Sequence, residues 1–90
     1  MFKSLAELKR FLLNNIGIEY TVKNYSWDVP ALRKLSRVGA NAFHGVVKDE
    51  NHKYFGKEYR SNFPKASDIR YTERGFMILK NGNPFLEYTF

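Results

Sequence analysis

Cysteine is absent from this 90-residue sequence, and tryptophan, methionine and proline occur only one, two and three times. The lack of cysteine excludes disulfide bonds, thiolate metal ligands and thiol nucleophiles, and it is compatible with a reducing cytosol. Long apolar runs are missing too, because charged residues interrupt the N-terminal stretch MFKSLAELKRFLLNN every few positions. Signal peptides and membrane spans both need an uninterrupted apolar segment. We therefore expect a cytoplasmic protein with no membrane partner.

Recognisable motifs of catalysis and metal binding are also absent. His44 and His52 are eight residues apart across a predicted turn, which is not the clustered spacing of a metal site. No serine stands in a nucleophile-elbow motif, and the six glycines are scattered singly rather than gathered in a phosphate-binding loop. The acidic pair Asp49-Glu50 is better interpreted as a solvated turn than as catalytic carboxylates. The sequence thus predicts no enzymatic activity, no cofactor and no metal.

Aromatic side chains, in contrast, are abundant and make up 17% of the residues, within a hydrophobic fraction of 43%. A disordered chain carries far fewer. Because 90 residues fall below the common domain size of about 100–150, we expect one domain, residues 1–90. Its large rings should supply much of the core.

The N-terminal segment predicts a helix. Ser4 and Glu7 have the spacing of a capping box, in which the two side chains accept otherwise unpaired backbone amides. Leu5, Leu8 and Leu12 then recur at helical spacing and form one apolar stripe. We expect this stripe to pack on the rest of the domain.

The C-terminal residues give the strongest local signal, an antiparallel β-meander. Strands are predicted over 69–72, 76–80 and 84–90, separated by Arg74-Gly75 and Asn81-Gly82-Asn83, whose residue types suit tight hairpins. Alternation over 18–25 predicts an earlier strand. A polar turn between Val46-Val47 and Tyr54-Phe55 predicts a second hairpin. The fold class is therefore α+β, with the helix packed on a small antiparallel sheet of four to five strands, and closure into a small SH3-like barrel stays open.

Residues 28–39 admit two interpretations. Asp28 would cap a short helix with Pro30 in its first turn and Gly39 as its end. The same residues also fit a strand that begins near Leu35. Local signals slightly favour the helix.

Positive charge is concentrated in the middle of the chain. The net charge is +6, and ten cationic but only five acidic residues lie between Arg33 and Arg74. Such an excess favours nucleic acid, DNA or RNA, or an acidic protein as partner. Residues 52–65, HKYFGKEYRSNFPK, interleave cations with aromatic rings, as single-stranded nucleic-acid sites do. The candidate nucleic-acid-binding residues are Arg33, Lys34, Arg37, Lys53, Tyr54, Lys57, Tyr59, Arg60 and Lys65.

These residues also have a purely structural interpretation. Phe55, Tyr59 and Phe63 would then be core side chains, and the neighbouring cations would form a solvated rim. On a helix, Arg33, Lys34 and Arg37 would form one compact basic patch, which a solvated helix face explains equally well.

Three short segments carry a resemblance to a known group. The segments VGANAF (38–43), NFPKASD (62–68) and GF (75–76) together resemble a pattern of small uncharacterised proteins from bacteriophages and other bacterial mobile elements. The resemblance implies that residues 37–47 are strand rather than helix, and that the turn 63–67 links two strands of a compact sheet or small barrel. It implies no activity.

Two hypotheses follow from the charge pattern and from the mobile-element origin that the resemblance implies. The first is a non-catalytic, nucleic-acid-binding accessory protein of a phage or mobile element. The alternative is a protein-binding module that inhibits or modulates a host or defence protein.

Overall fold

A computed structural model describes residues 1–27 and 29–90 of the chain. Within these residues one α-helix precedes seven strands, and every strand pairing is antiparallel. The elements are α1 (Leu5–Leu13), β1 (Glu19–Asn24), β2 (Ala31–Val38), β3 (Ala42–Val47), β4 (Glu58–Asn62), a 3-10 turn (Ala66–Asp68), β5 (Ile69–Thr72), β6 (Gly75–Lys80) and β7 (Asn83–Thr89). The α+β class is confirmed, but the expectation of four to five strands is wrong.

Helix α1 begins as the sequence predicts. The Ser4 hydroxyl accepts a hydrogen bond from the Glu7 amide at 3.2 Å, and the Glu7 carboxylate accepts one from the Lys3 amide at 3.1 Å. Leu8 and Leu12 are completely buried, so the apolar stripe packs against the sheet. In the described part of the chain, no helix has the length and apolar character needed to cross a membrane.

The sheet is strongly curled. Its strand order is β4-β3-β2-β1-β7-β6-β5, so the consecutive strands β4 and β5 lie at opposite edges. The edges of a flat seven-stranded sheet would be about 29 Å apart. The connection 63–68 reaches at most about 25 Å, and the Tyr88 hydroxyl on β7 donates to the Ser61 hydroxyl on β4 at 2.9 Å. The sheet must therefore bend until these two strands face each other across its concave side.

The curl stops short of a closed barrel. Strands β4 and β5 each pair with one neighbour only in the described structure, so the expected alternative of an SH3-like barrel is wrong. Pro64 follows β4 and has no amide to donate to a ladder. The 3-10 turn at Ala66–Asp68 then redirects the chain to the far side of β6. The sheet consequently keeps two free edges.

Aromatic rings fill the concave side of the sheet. Tyr20, Phe43, Phe76 and Tyr88 are all at least 98% buried. The rings of Phe76 and Tyr88 stack with centroids 4.7 Å apart, and Phe43 meets Tyr88 edge-on at 5.5 Å. Rings of this size each bury roughly 150–250 Å² of surface. The expectation of an aromatic core therefore agrees with the structure.

Strand β2 replaces the helix that local signals slightly favoured over 28–39. Asp28, the expected cap of that helix, lies outside the described residues. Strand β2 pairs with β1 on one side and with β3 on the other, and this pairing outweighs local helical preference. A bulge between Leu35 and Arg37 breaks the alternation that would have marked a strand. The strand implied for 37–47 is present as two strands joined by a turn at 39–41.

The predicted meander is confirmed, with strand ends within one residue of expectation. Its last hairpin contains Asn81 with φ 54° and Gly82 with φ 79°, which is the left-handed backbone that these residue types favour. The second predicted hairpin exists between β3 and β4. However, Tyr54 and Phe55 lie in the loop between these strands rather than in the returning strand.

The close approach of β6 to β7 can be tested at Gly75. We expect Gly75→Ala to lower the free energy of unfolding by about 1–3 kcal/mol, because the new Cβ would overlap the main-chain carbonyl of Tyr88. Gly39→Ala is the matched control, since its Cβ would lie 3.5 Å from the Ala42 carbonyl oxygen, an ordinary contact. Urea unfolding followed by circular dichroism measures both, and equal stabilities would contradict this packing.

Candidate nucleic-acid interface

The loop between β3 and β4, residues 48–57, is held by backbone hydrogen bonds. The Val47 amide donates to the Lys57 carbonyl at 3.0 Å, and the Gly56 amide donates to the Val47 carbonyl at 2.9 Å. Gly56 has φ 83°, a conformation that glycine adopts without strain. The Lys48 amide also donates to the Leu32 carbonyl, which ties the start of the loop to β2. The loop therefore presents its side chains from an ordered backbone.

Cations and aromatic rings alternate in space on this loop. The Nζ atoms of Lys53 and Lys57 lie 4.9 and 5.2 Å from the centre of the Tyr54 ring. Lys57 Nζ is also 5.4 Å from the centre of the Tyr59 ring, and the two tyrosine rings meet edge-on at 6.2 Å. At exposed sites each such cation–π contact is worth about 0.5–1 kcal/mol.

Arg33 joins this group from β2. Its Cα pairs with Tyr20 and Val47 on the neighbouring strands, which places its side chain on the concave side of the sheet. The guanidinium carbon lies 4.7 Å from the centre of the Tyr59 ring. Arg33, Lys53, Tyr54, Lys57 and Tyr59 thus form one cluster, called here the loop cluster.

No carboxylate balances the cations of the loop cluster in the described part of the chain. In residues 1–27 and 29–90, the basic side chains with a nitrogen within 4.0 Å of a carboxylate oxygen are Arg37 and His44, and both contact Glu58. The charges of Arg33, Lys53 and Lys57 therefore lie around the two tyrosine rings, with no ion pair among the described residues. An added anion would reduce the electrostatic repulsion among these three cations.

Lys34 and Arg37, two of the predicted site residues, lie on the opposite, convex face of the sheet. The compact patch expected from a helix is therefore wrong, because on a strand Arg33 and Lys34 point to opposite faces. Arg37 forms an ion pair with Glu58 at 3.0 Å. Hydrogen bonds from Ser36 and then Arg37 lower the pKa of Glu58. The charge of Arg37 is thus largely balanced within the protein.

Arg60 and Lys65 also lie apart from the loop cluster. Arg60 is exposed on the convex face of β4, where its Nε donates to Asn62 at 2.9 Å. Lys65 is exposed in the connection 63–68. Of the three rings with a structural interpretation, Phe63 packs against Phe43, Tyr59 is half-buried, and Phe55 is 52% exposed and therefore not core.

Polar groups extend from Arg33 into the core. The Tyr20 hydroxyl and Arg33 Nε are buried, and neither has a hydrogen-bond partner among the residues that the structure describes. Burial raises the pKa of Tyr20 to about 12, and the nearby Arg33 opposes this shift. Burial likewise raises the pKa of Tyr88. A side chain at Gly45 would overlap the Tyr20 hydroxyl, so glycine makes room for this polar interior.

A second exposed aromatic group was missed in the sequence. Trp27 is 65% exposed and Tyr25 is 42% exposed after the end of β1, and Phe85 of β7 lies beside Tyr25. Lys23 Nζ lies 4.6 Å from the Tyr25 ring, and Lys80 Nζ lies 5.4 Å from the Phe85 ring. These five residues are called here the turn patch. The available signal was the single tryptophan of the chain, placed in a turn rather than a strand.

A groove lies at the other end of the molecule, between α1, the β5–β6 turn and the C-terminus. Its volume is about 720 Å³, and none of the predicted site residues lines it. Its lining combines an apolar floor with a rim of both charges; the floor includes Phe2, Phe11, Ile18 and Phe90, and the rim includes Glu7, Arg10, Glu73 and Arg74.

Comparison of the chain with protein-family models, curated proteins and solved structures finds no match. A metal centre gains no support from the geometry, because no three His, Cys, Asp or Glu side chains cluster among the residues described. His44 lies beside Glu58, and His52 accepts a hydrogen bond from the Tyr54 amide. Function must therefore be argued from the loop cluster, the turn patch and the groove.

The raised pKa of Tyr20 predicts a loss of stability at alkaline pH. An unfolded tyrosine ionises near pH 10, whereas folded Tyr20 ionises near pH 12, so its contribution is complete below pH 10 and disappears as the pH rises to 12. We expect Tyr20→Phe to lose about 2 kcal/mol less stability than the wild type over that interval. Urea unfolding at several alkaline pH values measures this difference, and parallel losses in both proteins would contradict the buried hydroxyl.

Proposed function

We propose that this chain is a small, non-catalytic nucleic-acid-binding accessory protein of a phage or other mobile element. One observation carries the proposal: three cations of the loop cluster, Arg33, Lys53 and Lys57, surround two tyrosine rings with no carboxylate within 4.0 Å in the described residues. A cytoplasmic location belongs to the proposal, because nucleic acid is accessible there.

The chemistry of the loop cluster suits a polyanion. When a Lys or Arg side chain neutralises a phosphate, counterions that were bound to the nucleic acid are released into solution. This release favours binding. Lys53 and Lys57 are exposed and flexible, so both can leave the Tyr54 ring face to contact phosphates. The ring, 39% exposed, then offers a face on which a base can stack. The net charge of +6 adds long-range attraction.

The salt dependence of binding gives a direct test. Three neutralised phosphates on a single strand predict that the logarithm of affinity falls with the logarithm of salt concentration with a slope of about −2. We expect Lys57→Gln to weaken binding and to reduce the size of this slope by about 0.7, because one phosphate contact is lost. Fluorescence anisotropy of labelled oligonucleotides over a salt series measures both quantities.

Lys34→Gln is the matched control for this experiment. It removes the same charge from the convex face, away from the loop cluster. We expect it to lower affinity less and to leave the slope unchanged. Equal effects of the two substitutions would indicate general charge attraction rather than this site, and undetectable binding at low salt would refute the proposal.

The groove at the helix end supports a second candidate function, a protein-binding module that inhibits or modulates a host or defence protein. Apolar rings such as Phe2 and Phe11 form its floor, and a protein side chain could be anchored there. Pull-down from a nuclease-treated bacterial lysate tests this function. We would favour this function over nucleic-acid binding if the wild type captured one defined protein. Phe2→Ser should then abolish the capture, and Lys57→Gln should not.

A further inference from the structure

Three connections of the sheet lie at the same end of the molecule. Strand β1 ends at Asn24 and β2 begins at Ala31, β3 and β4 are joined by the loop 48–57, and β6 and β7 are joined by Asn81-Gly82. Neighbouring strands run antiparallel, with Arg33 opposite Val47 and Asn24 opposite Leu86. These three connections therefore lie at the same end of the strands. The loop cluster and the turn patch therefore lie at this end, called here the loop end.

The turn patch has an ordered backbone. The Trp27 amide donates to the Asn24 carbonyl at 2.9 Å, and the Ser26 amide donates to the Asn24 side chain at 2.8 Å. The Tyr25 amide donates to the Phe85 carbonyl at 3.1 Å, which holds the turn against β7. Trp27 is thus an exposed indole on a constrained turn. Such a ring can stack on a ligand with little loss of conformational entropy.

The turn patch and the loop cluster share one composition, because each places ammonium groups against aromatic rings. A purely apolar protein partner would have to desolvate these ammonium groups, whereas a nucleic acid supplies both phosphates and base faces. Two nearby carboxylates accept hydrogen bonds within the protein. Glu87 accepts one from the Tyr25 hydroxyl at 2.7 Å, and Asp49 accepts one from the Asn51 amide at 3.0 Å. Glu50 is exposed in the same loop.

The placement of the two groups on different sides of the loop end favours a single strand over a duplex. The β1–β2 and β3–β4 hairpins are two strand spacings apart, or about 10 Å between their backbones. Tyr25 bonds to Glu87 on the convex side of the sheet, because the next residue, Tyr88, faces the core, whereas Arg33 lies on the concave side. Exposed rings reach base faces only where bases are unpaired, since a duplex buries those faces in its own stack. A flexible single strand can pass around this end of the sheet and contact both groups, whereas a stiff duplex cannot.

Resting on the proposed function, we propose that the loop end is a two-part site for single-stranded nucleic acid. In this site Trp27 of the turn patch stacks on a base, and the loop cluster holds phosphates a few nucleotides away. The turn patch thereby selects unpaired strands, while the cations supply affinity that is independent of sequence. The site size should fall near the lower part of the range of about 4–16 nucleotides seen for small single-strand-binding domains.

The single tryptophan makes this proposal measurable in the intact protein. Titration with oligothymidylate should quench Trp27 fluorescence, and a duplex of the same length should not. We expect Trp27→Ala to weaken binding of the oligothymidylate about tenfold and to leave the salt slope unchanged, since stacking releases no counterions. Val29→Ala is the control from the same turn, because Val29 is 71% exposed and aliphatic, and its affinity should equal that of the wild type. Circular dichroism verifies that both variants fold.

The outcomes separate this inference from the proposed function. If the wild type binds with a salt slope that Lys57→Gln reduces, but Trp27→Ala binds equally well, the stacking site is refuted and the proposed function survives. Equal affinity for duplex and single strand would also refute the inference alone. If the wild type binds neither form at low salt, both proposals fail.

Discussion

Tyr88 makes the contact on which the shape of the molecule depends. Its ring stacks on Phe76 and meets Phe43 edge-on, and its hydroxyl donates to Ser61 on β4, although three strands separate β7 from β4 along the sheet. The ring thus supplies apolar packing to both halves of the sheet, and the hydroxyl finds a partner that only a curled sheet brings within reach. The curl in turn leaves β4 and β5 as free edges and brings the side chains of the concave side together.

Arg33 is the exception in this apolar interior. A half-buried cation without a carboxylate loses hydration that no ion pair replaces in the described structure. Its guanidinium keeps part of its stabilisation by stacking on Tyr59 and by lying close to the hydroxyls of Tyr20 and Tyr88. An apolar residue at this position would pack at lower energetic cost. The retained charge therefore fits a ligand-binding role better than a structural one.

The sequence predicted those features that short-range chemistry determines. The cap at Ser4 and the left-handed turn at Asn81-Gly82 each depend on a few adjacent residues, so α1 and the meander could be predicted. Strand β2 could not, because a bulge hides its alternation and an inward-facing Arg33 imitates a solvent-exposed position. The number and order of the strands depend on where the connection 63–68 places β5 in the sheet. No pattern of neighbouring residues predicts that position. In the loop cluster, Lys53, Tyr54, Lys57 and Tyr59 are close in sequence, whereas Arg33 joins them only through strand register.

The two ends of the molecule differ in a way that bears on function. At the helix end, the groove is lined by two acids and two cations together with apolar rings, so neither sign of charge predominates among these side chains. At the loop end, ammonium groups stand on exposed rings, and the acids that the structure shows to be hydrogen-bonded there are Glu87 and Asp49. In the proposed function, the excess of positive charge attracts a polyanion from a distance, and the exposed rings distinguish unpaired from paired bases at contact. The proposal thus assigns long-range attraction and short-range selection to the same end of the molecule, at the far end from the groove.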